Sequence, residues 1–329
     1  RDRMIDFNKL LTLFIFLFFI SCESDIGSET ISNNDSEQSG GTFVGGGNST
    51  PSELSVELIT KINDQTASFS SPFGGYNRSF IVHVPPNFDP NISSLPLVFI
   101  LHGYTSTAPI IRNYSNFDSI ADQENFIVVY VQGTTDNFSN TGWNVDLLPS
   151  FSTVDDVAFF RALISYFKSN YNIADDKIFS AGMSLGGFMS YRLACEVEEI
   201  NSIGSVTGSM SGYYSCSPPN KKSIIHFHGT ADTVVPYNGS DWTRSAISAH
   251  NFWSDFSNCE NFTEIILPDL NSDGTSSSVK ISSDCDDNVI VRLYTLPDEG
   301  HTWFKREWGH DLSSSIAIWN FFKSQINED

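Results

Sequence analysis

The chain has 329 residues, with 39 acidic against 18 basic side chains and a formal net charge of −21 at pH 7. That surplus, with no run of Lys or Arg, excludes nucleic acid as a partner, because binding phosphates needs clustered cations. A hydrophobic fraction of 40% with 27 Phe can fill a large core, so the chain as a whole is not disordered.

The N-terminus reads as an address. Arg1, Arg3 and Lys9 precede an apolar run over residues 10–20, too short to span a bilayer, and Ser21 and Cys22 follow. Residues 1–21 therefore read as an export signal. Cys22, directly after a small residue, resembles the lipid-attachment position of a bacterial lipoprotein. Residues 22–55 are rich in Ser, Gly, Asn and acids, lack apolar periodicity, and read as a flexible tether. The expected location is the outer membrane or cell surface of a bacterium, or the extracellular medium, with the lipid as the only membrane contact. Four further cysteines remain: Cys195, Cys216, Cys259 and Cys285. An even number in an exported chain favours disulfides. Three pairings are open, and proximity favours Cys195–Cys216 with Cys259–Cys285. No His/Cys cluster has zinc spacing, so neither a metal nor another cofactor is expected.

From about residue 56 the texture changes, and residues 56–329 read as one catalytic domain. Residues 79–84 (SFIVHV) alternate as an early antiparallel strand should. Residues 97–101 (LVFIL) and 126–131 (FIVVYV) are continuously apolar, the pattern of strands buried on both faces. Residues 117–124 can form a short helix. Residues 155–167 carry a helical apolar face, with Asp155 or Asp156 placed as N-cap. A strand is expected over 177–181, a helix over 185–195, strands over 203–210, 223–227 and 289–296, and a closing helix over 313–326. This alternation predicts an α/β fold: a mostly parallel sheet with helices on both faces.

The strongest motif is Gly182-Met183-Ser184-Leu185-Gly186-Gly187, between a predicted strand and a predicted helix. That context makes a G-x-S-x-G match a nucleophile elbow, a tight turn that lifts a Ser hydroxyl off the sheet. A hydroxyl needs a base, and on this kind of fold the acid and then the His follow in the chain. Asp232 lies just past the strand that ends in His228-Gly229. His301 lies past the last strand, in Gly300-His301-Thr302-Trp303. Ser184, Asp232 and His301 are therefore the expected nucleophile, orienting acid and base. His226 and His228, on the strand before Asp232, read as structural. His102-Gly103-Tyr104 follows the strand at 97–101, where a loop can supply one of two backbone N–H groups to a tetrahedral oxyanion. Tyr104 and Leu185 are the expected donors, with His102 bracing the loop.

With these residues placed, the chain from about 78 to 323 resembles the esterase family that includes extracellular polyhydroxybutyrate depolymerases and feruloyl or acetylxylan esterases. The resemblance rests on His102-Gly103, Asp155-Asp156-Val157-Ala158-Phe159, residues 182–193 (GMSLGGFMSYRL), residues 228–237 (HGTADTVVPY) and Gly300-His301-Thr302-Trp303. It implies an α/β-hydrolase fold and ester hydrolysis through an acyl-enzyme on Ser184, Asp232 and His301. The chain departs from the family at Leu185, where Asn or Ala is common, and at Phe304-Lys305, which replace Pro-Gly.

Tyr104, Trp143 and Trp303 are expected near the site, as a platform for an aromatic acyl group or a polyester chain. Residues 269–274 (DLNSDG) look like half a calcium loop without its terminal Glu and read as a hairpin tip. The short spacing between Ser184 and the strand at 223–227 leaves no room for a large cap domain. Two other readings stand beside a serine esterase: a serine peptidase of the prolyl-oligopeptidase kind, and a non-catalytic surface binding protein on a hydrolase scaffold.

Overall fold

The structure is a computed structural model that describes residues 54–92, 94–147 and 151–326. The export signal, Cys22 and nearly all of the tether lie outside the described residues. In chain order the elements are β1 (Glu57–Lys61), β2 (Thr66–Phe73), β3 (Tyr76–His83), β4 (Leu95–Leu101), α1 (Ala108–Ser115), α2 (Phe117–Glu124), β5 (Ile127–Gln132), β6 (Thr134–Thr135), β7 (Thr141–Gly142) and α3 (Asp156–Tyr171). They continue with β8 (Ile173–Met183), α4 (Leu185–Glu196), β9 (Ser202–Val206), β10 (Ser223–Gly229), α5 (Ala246–Phe256), β11 (Asn261–Ile266), β12 (Ser278–Ser283), β13 (Val291–Leu296) and α6 (Ser314–Lys323).

Eleven strands form one sheet in the order β1-β2-β3-β5-β4-β8-β9-β10-β13-β12-β11. The six from β5 to β13 are parallel, and both flanks are antiparallel. The sequence shows why. β4, β5, β9 and β10 are nearly unbroken apolar or small-residue runs, and they are buried almost throughout. β11, at one edge, is exposed at all six positions, and β1, at the other, at all five. Parallel strands need crossover connections: α1 and α2 lead from β4 to β5, α3 from β5 to β8, α4 from β8 to β9 and α5 out of β10, whereas β9 reaches β10 through residues 207–222 without a helix and α6 follows the last strand. The aromatic content fills this core: Phe126 stacks on Trp319 at 3.8 Å and Phe179 on Phe322 at 4.6 Å.

α3 starts at Asp155, whose carboxylate accepts from the Ala158 N–H at 2.9 Å. Asp156 points inward instead. Its carboxylate takes Arg78 at 2.7 Å and the Asn144 N–H at 2.8 Å, so a buried ion pair ties the loop after β7 to the sheet. The expected strand over 203–210 ends at Val206. Thr207 takes φ 51°, and residues 207–210 continue as buried irregular chain. The two disulfides are Cys195–Cys216 and Cys259–Cys285, the pairing that proximity favours. Residues 269–274 form a loop whose Asp269 carboxylate accepts the Ser272 and Gly274 N–H groups. Among the described residues no group of three His, Cys, Asp or Glu side chains is placed to hold a metal ion, and no helix is long and apolar enough to cross a membrane.

Candidate active site

β8 lies between β4 and β9, where the strand order changes direction, and the carboxyl ends of parallel strands open a crevice at such a point. Ser184 follows β8 there. Its φ of 54° and ψ of −122° lie in a region that costs a non-glycine residue about 1–3 kcal/mol. The surroundings hold it in place. The Ser184 N–H donates to Val206 O at 2.9 Å, and the Ser184 carbonyl accepts from Gly187 and Phe188 N–H groups at 2.8 and 3.1 Å. The first turn of α4 sits so close to β4 that a Cβ on Gly186 would lie 2.2 Å from Leu101 O. Leu185 N–H, at the first position of α4, has no intrahelical acceptor.

Asp232 and His301 are brought together by two loops laced to each other. The Thr230 N–H donates to Leu296 O at 2.9 Å, Ala231 N–H to Glu299 O at 3.0 Å, and Asp298 N–H to Thr230 Oγ1 at 2.9 Å. The Asp232 side chain is fully buried. Its Oδ1 accepts the Val234 and Val235 N–H groups, both at 2.8 Å, and its Oδ2 accepts His301 Nδ1–H at 2.8 Å. Burial pushes this carboxyl up, but hydrogen bonds and charge from His228 and His301 outweigh it and hold the group below the usual carboxylate range. With Nδ1 committed to Asp232, Nε2 of His301 is the edge left for proton exchange; the ring is 12% exposed. No hydrogen bond joins Ser184 Oγ to Nε2 in this structure, a contact that commonly closes only once substrate is bound.

The loop after β4 meets the elbow: a Cβ on Gly103 would lie 3.3 Å from Ser184 Cβ. A Cβ on Gly142 would touch both Leu185 Cδ2 and Tyr104 Cδ2, so the two expected oxyanion residues border the same backbone. His102 braces this loop. Its Nδ1–H donates to Gly103 O at 2.7 Å, and its Nε2 accepts the Gly133 N–H at 2.9 Å. Burial lowers its pKa to about 4, with the Gly103 bond opposing, so the ring is neutral near pH 7.

The three aromatics expected as a platform are all buried in this structure. Trp143 is 2% exposed, its Nε1–H donates to His102 O at 2.9 Å, and it packs on the His102 ring and Phe160. Trp303 is fully buried, with Nε1–H on Ser315 Oγ at 2.9 Å. Tyr104 is 5% exposed and its hydroxyl is held by Asp136 at 2.7 Å. A buried indole N–H needs an internal partner, and both rings turned inward to find one. Trp242 was not singled out in the sequence. It is partly exposed and packs 6.0 Å from Phe188, one helical turn after Ser184. The segment carrying it is bridged to Ser211 through Thr243. No motif marks it; its only signal is an aromatic in a polar loop.

The sheet order and its flanking helices are those of an α/β-hydrolase, and the enzyme class shared with its relatives is carboxylic-ester hydrolase. Its relatives lie among the feruloyl, acetylxylan and polyhydroxyalkanoate esterases. The chain is 23% identical over 279 residues to the bifunctional acetylxylan esterase/xylanase XynS20E of Neocallimastix patriciarum, covering 82% of this chain and 36% of that protein. It is 26% identical over 252 residues to feruloyl esterase C of Emericella nidulans, covering 74% and 83%. It is 22% identical over 272 residues to poly(3-hydroxyalkanoate) depolymerase C of Paucimonas lemoignei, covering 76% and 63%. The chain thus spans about a third of the first relative. The acetyl xylan esterase of Aspergillus awamori shares the fold, with a TM-score of 0.55 at 15% identity over 82% of this chain and 99% of that one. No family model matches the sequence.

Proposed function

We propose that this chain is an exported, lipid-anchored serine esterase whose nucleophile, base and orienting acid are Ser184, His301 and Asp232. His301 Nε2 takes the Ser184 proton as Oγ attacks the ester carbonyl. The carbonyl oxygen becomes an oxyanion, held by the backbone N–H groups of Leu185 and Tyr104. His301, as imidazolium stabilised by Asp232, then protonates the leaving alcohol, and a water activated by the same ring releases the acid. The observation that carries this reading is the Asp232–His301 pair at 2.8 Å together with a strained Ser184, all three following the carboxyl ends of parallel strands of one sheet.

The substrate class we infer is an uncharged ester of a bulky or polymeric partner: a feruloyl or acetyl ester of a polysaccharide, or a polyhydroxyalkanoate. The names of the relatives support these three. The net charge of −21 disfavours polyanions and favours release of a carboxylate product. Trp242 takes the place given in the sequence to Trp143 and Trp303 as the aromatic contact for the acyl or alcohol side. Export is supported by the two disulfides, which persist in oxidising compartments, and the anchor by Cys22 after the short apolar run.

The test is Ser184→Ala assayed on a p-nitrophenyl ester. Loss of the nucleophile should cost roughly 10⁴-fold or more in kcat; a variant within a few-fold of wild type sinks the assignment. Butyrate oligomers, methyl ferulate and acetylated xylan then rank the three substrates, and label on Cys22 from a radioactive fatty acid tests the anchor.

A further inference from the structure

Behind Asp232 lie three buried side chains that the chemistry above does not use: Tyr191 on α4, and His226 and His228 on β10, each no more than 1% exposed. His228 Nε2 lies 2.8 Å from Val235 O and 3.4 Å from Asp232 Oδ2. Both of those oxygens only accept, so Nε2 carries the proton. With one proton on each ring, His228 Nδ1 accepts. Its partner, His226 Nε2 at 2.9 Å, must donate. His226 Nδ1 then accepts in turn, from the Tyr191 hydroxyl at 3.0 Å. Burial, helped by His228 and His250 and opposed by a backbone contact with Gly208, holds His226 well below the ordinary imidazole range, so the His226 ring is neutral. Every proton in the chain points the same way, from α4 toward Asp232.

The geometry points to Tyr191, His226 and His228 as positioning residues, a one-way hydrogen-bond relay that gives Asp232 a second imidazole donor and thereby sets the basicity of His301. The inference rests on the triad proposed above. Oδ1 of Asp232 is filled by two amides, while Oδ2 takes His301 at 2.8 Å and has His228 Nε2 at 3.4 Å, a longer contact made beside the His228 bond to Val235 O. A carboxylate that shares its charge with a second donor stabilises an imidazolium at His301 less than one that faces His301 alone. A chain of bonds polarised in one direction strengthens that second donor. The other groups around the pair are Tyr237, whose ring faces His228 at 5.8 Å and whose hydroxyl bonds Thr295 Oγ1, and, on the loop after β13, Asp298 and Glu299, the latter bound to His310 at 2.7 Å.

The experiment compares the pH profile of kcat/KM for wild type, His228→Leu and His228→Gln on a neutral soluble ester. Removing the donor in His228→Leu concentrates the Asp232 charge on His301, so the acidic limb moves to higher pH by about half a unit, with roughly tenfold loss of rate. His228→Gln keeps an amide N–H near the Nε2 position and returns the limb toward wild type. A rate loss with an unmoved limb marks a packing role and overturns the relay. Should His228→Leu fail to fold, the wild-type enzyme still decides: ¹⁵N NMR of the imidazoles should find His226 and His228 both protonated at Nε2 and His301 at Nδ1. An Nδ1–H form at either His226 or His228 overturns the inference. These tautomers are read without turnover, so their failure is distinct from a failure of Ser184→Ala.

Discussion

Both sides of the site are seated by close backbone packing, with a Cβ on Gly186 2.2 Å from Leu101 O and one on Gly229 2.1 Å from Glu299 O, but only the side around His301 adds a buried carboxylate with its amide and imidazole partners. The first turn of α4 is seated on the end of β4 with no room for a single methyl group at Gly186. Ser184 is thereby held in a backbone conformation that it would not keep alone. Across the crevice, the Asp232 carboxylate gathers two amides and two imidazoles, and the loops at 229–232 and 296–301 exchange hydrogen bonds. The contrast suits the two jobs. A nucleophile must be presented at one fixed point, which steric packing does well. A base must change charge in each turnover, and that needs polar partners of fixed protonation around it.

Asp232→Asn breaks the polar side most severely. An amide at Oδ2 would present N–H groups or a weaker acceptor to His301, and the Nδ1–H tautomer would lose its preference. The expected loss in kcat is about 10⁴-fold near neutral pH, with the fold retained. Circular dichroism and a burst assay would separate this from misfolding, and activity within tenfold of wild type would remove Asp232 from the mechanism.

On the steric side the corresponding break is Gly186→Ala. The added Cβ meets Leu101 O and C, neither of which can move without shifting β4. The expected effect is a loss of stability of about 3 kcal/mol or more, read from the denaturant midpoint, with activity falling in step. A variant as stable as wild type would show that the elbow is less tightly seated than its contacts indicate.

Acid should strain both sides through neutral histidines. His102 has its pKa lowered to about 4 from an unfolded value of 6.5, mainly by burial. The unfolded chain therefore binds this proton before the folded one does. Stability from this group is full above pH 6.5 and is lost as the pH falls from 6.5 through 4, by up to about 3 kcal/mol. His226 and His250 are lowered too and act in the same direction. A Tm that drops steeply between pH 6.5 and 4, and less steeply in His102→Gln, is the expected result; an equal slope in both would clear His102.

How much of this was legible depends on what kind of contact carried it. Ser184 stood out through its glycine-flanked motif between strand and helix, and Asp232 and His301 through their order in the chain and their positions past expected strands. The edges were not legible: β11 is exposed at every position and so carries no alternation, and β1 is no different. The strand expected over 203–210 ran too far because residues 207–210 are as buried as β9 itself, and burial alone does not separate strand from irregular core. Trp143 and Trp303 were placed beside the site by their position in the chain, but which way an indole turns is settled by where its N–H finds an acceptor. That acceptor, His102 O or Ser315 Oγ, is a matter of tertiary structure.

The smallest expected effect sharpens the comparison most. Gly300 immediately precedes His301, as close in sequence to the base as Gly186 is to the turn of the nucleophile. Yet a Cβ there meets nothing within 4 Å, and its φ is not among the positive ones. The close packing of this loop runs through Gly229 against Glu299 and leaves the Gly300 Cβ position open, so Gly300→Ala should change stability by no more than about 0.5 kcal/mol, in either direction, because the gain from a stiffer unfolded chain is of that order. kcat/KM should stay within a few-fold. The measurement is a denaturant midpoint beside that of Gly186→Ala. A loss in Gly300→Ala approaching that of Gly186→Ala would mean that the steric seating of the His301 loop extends from Gly229 to Gly300, and the distinction between a closed and an open glycine would fall.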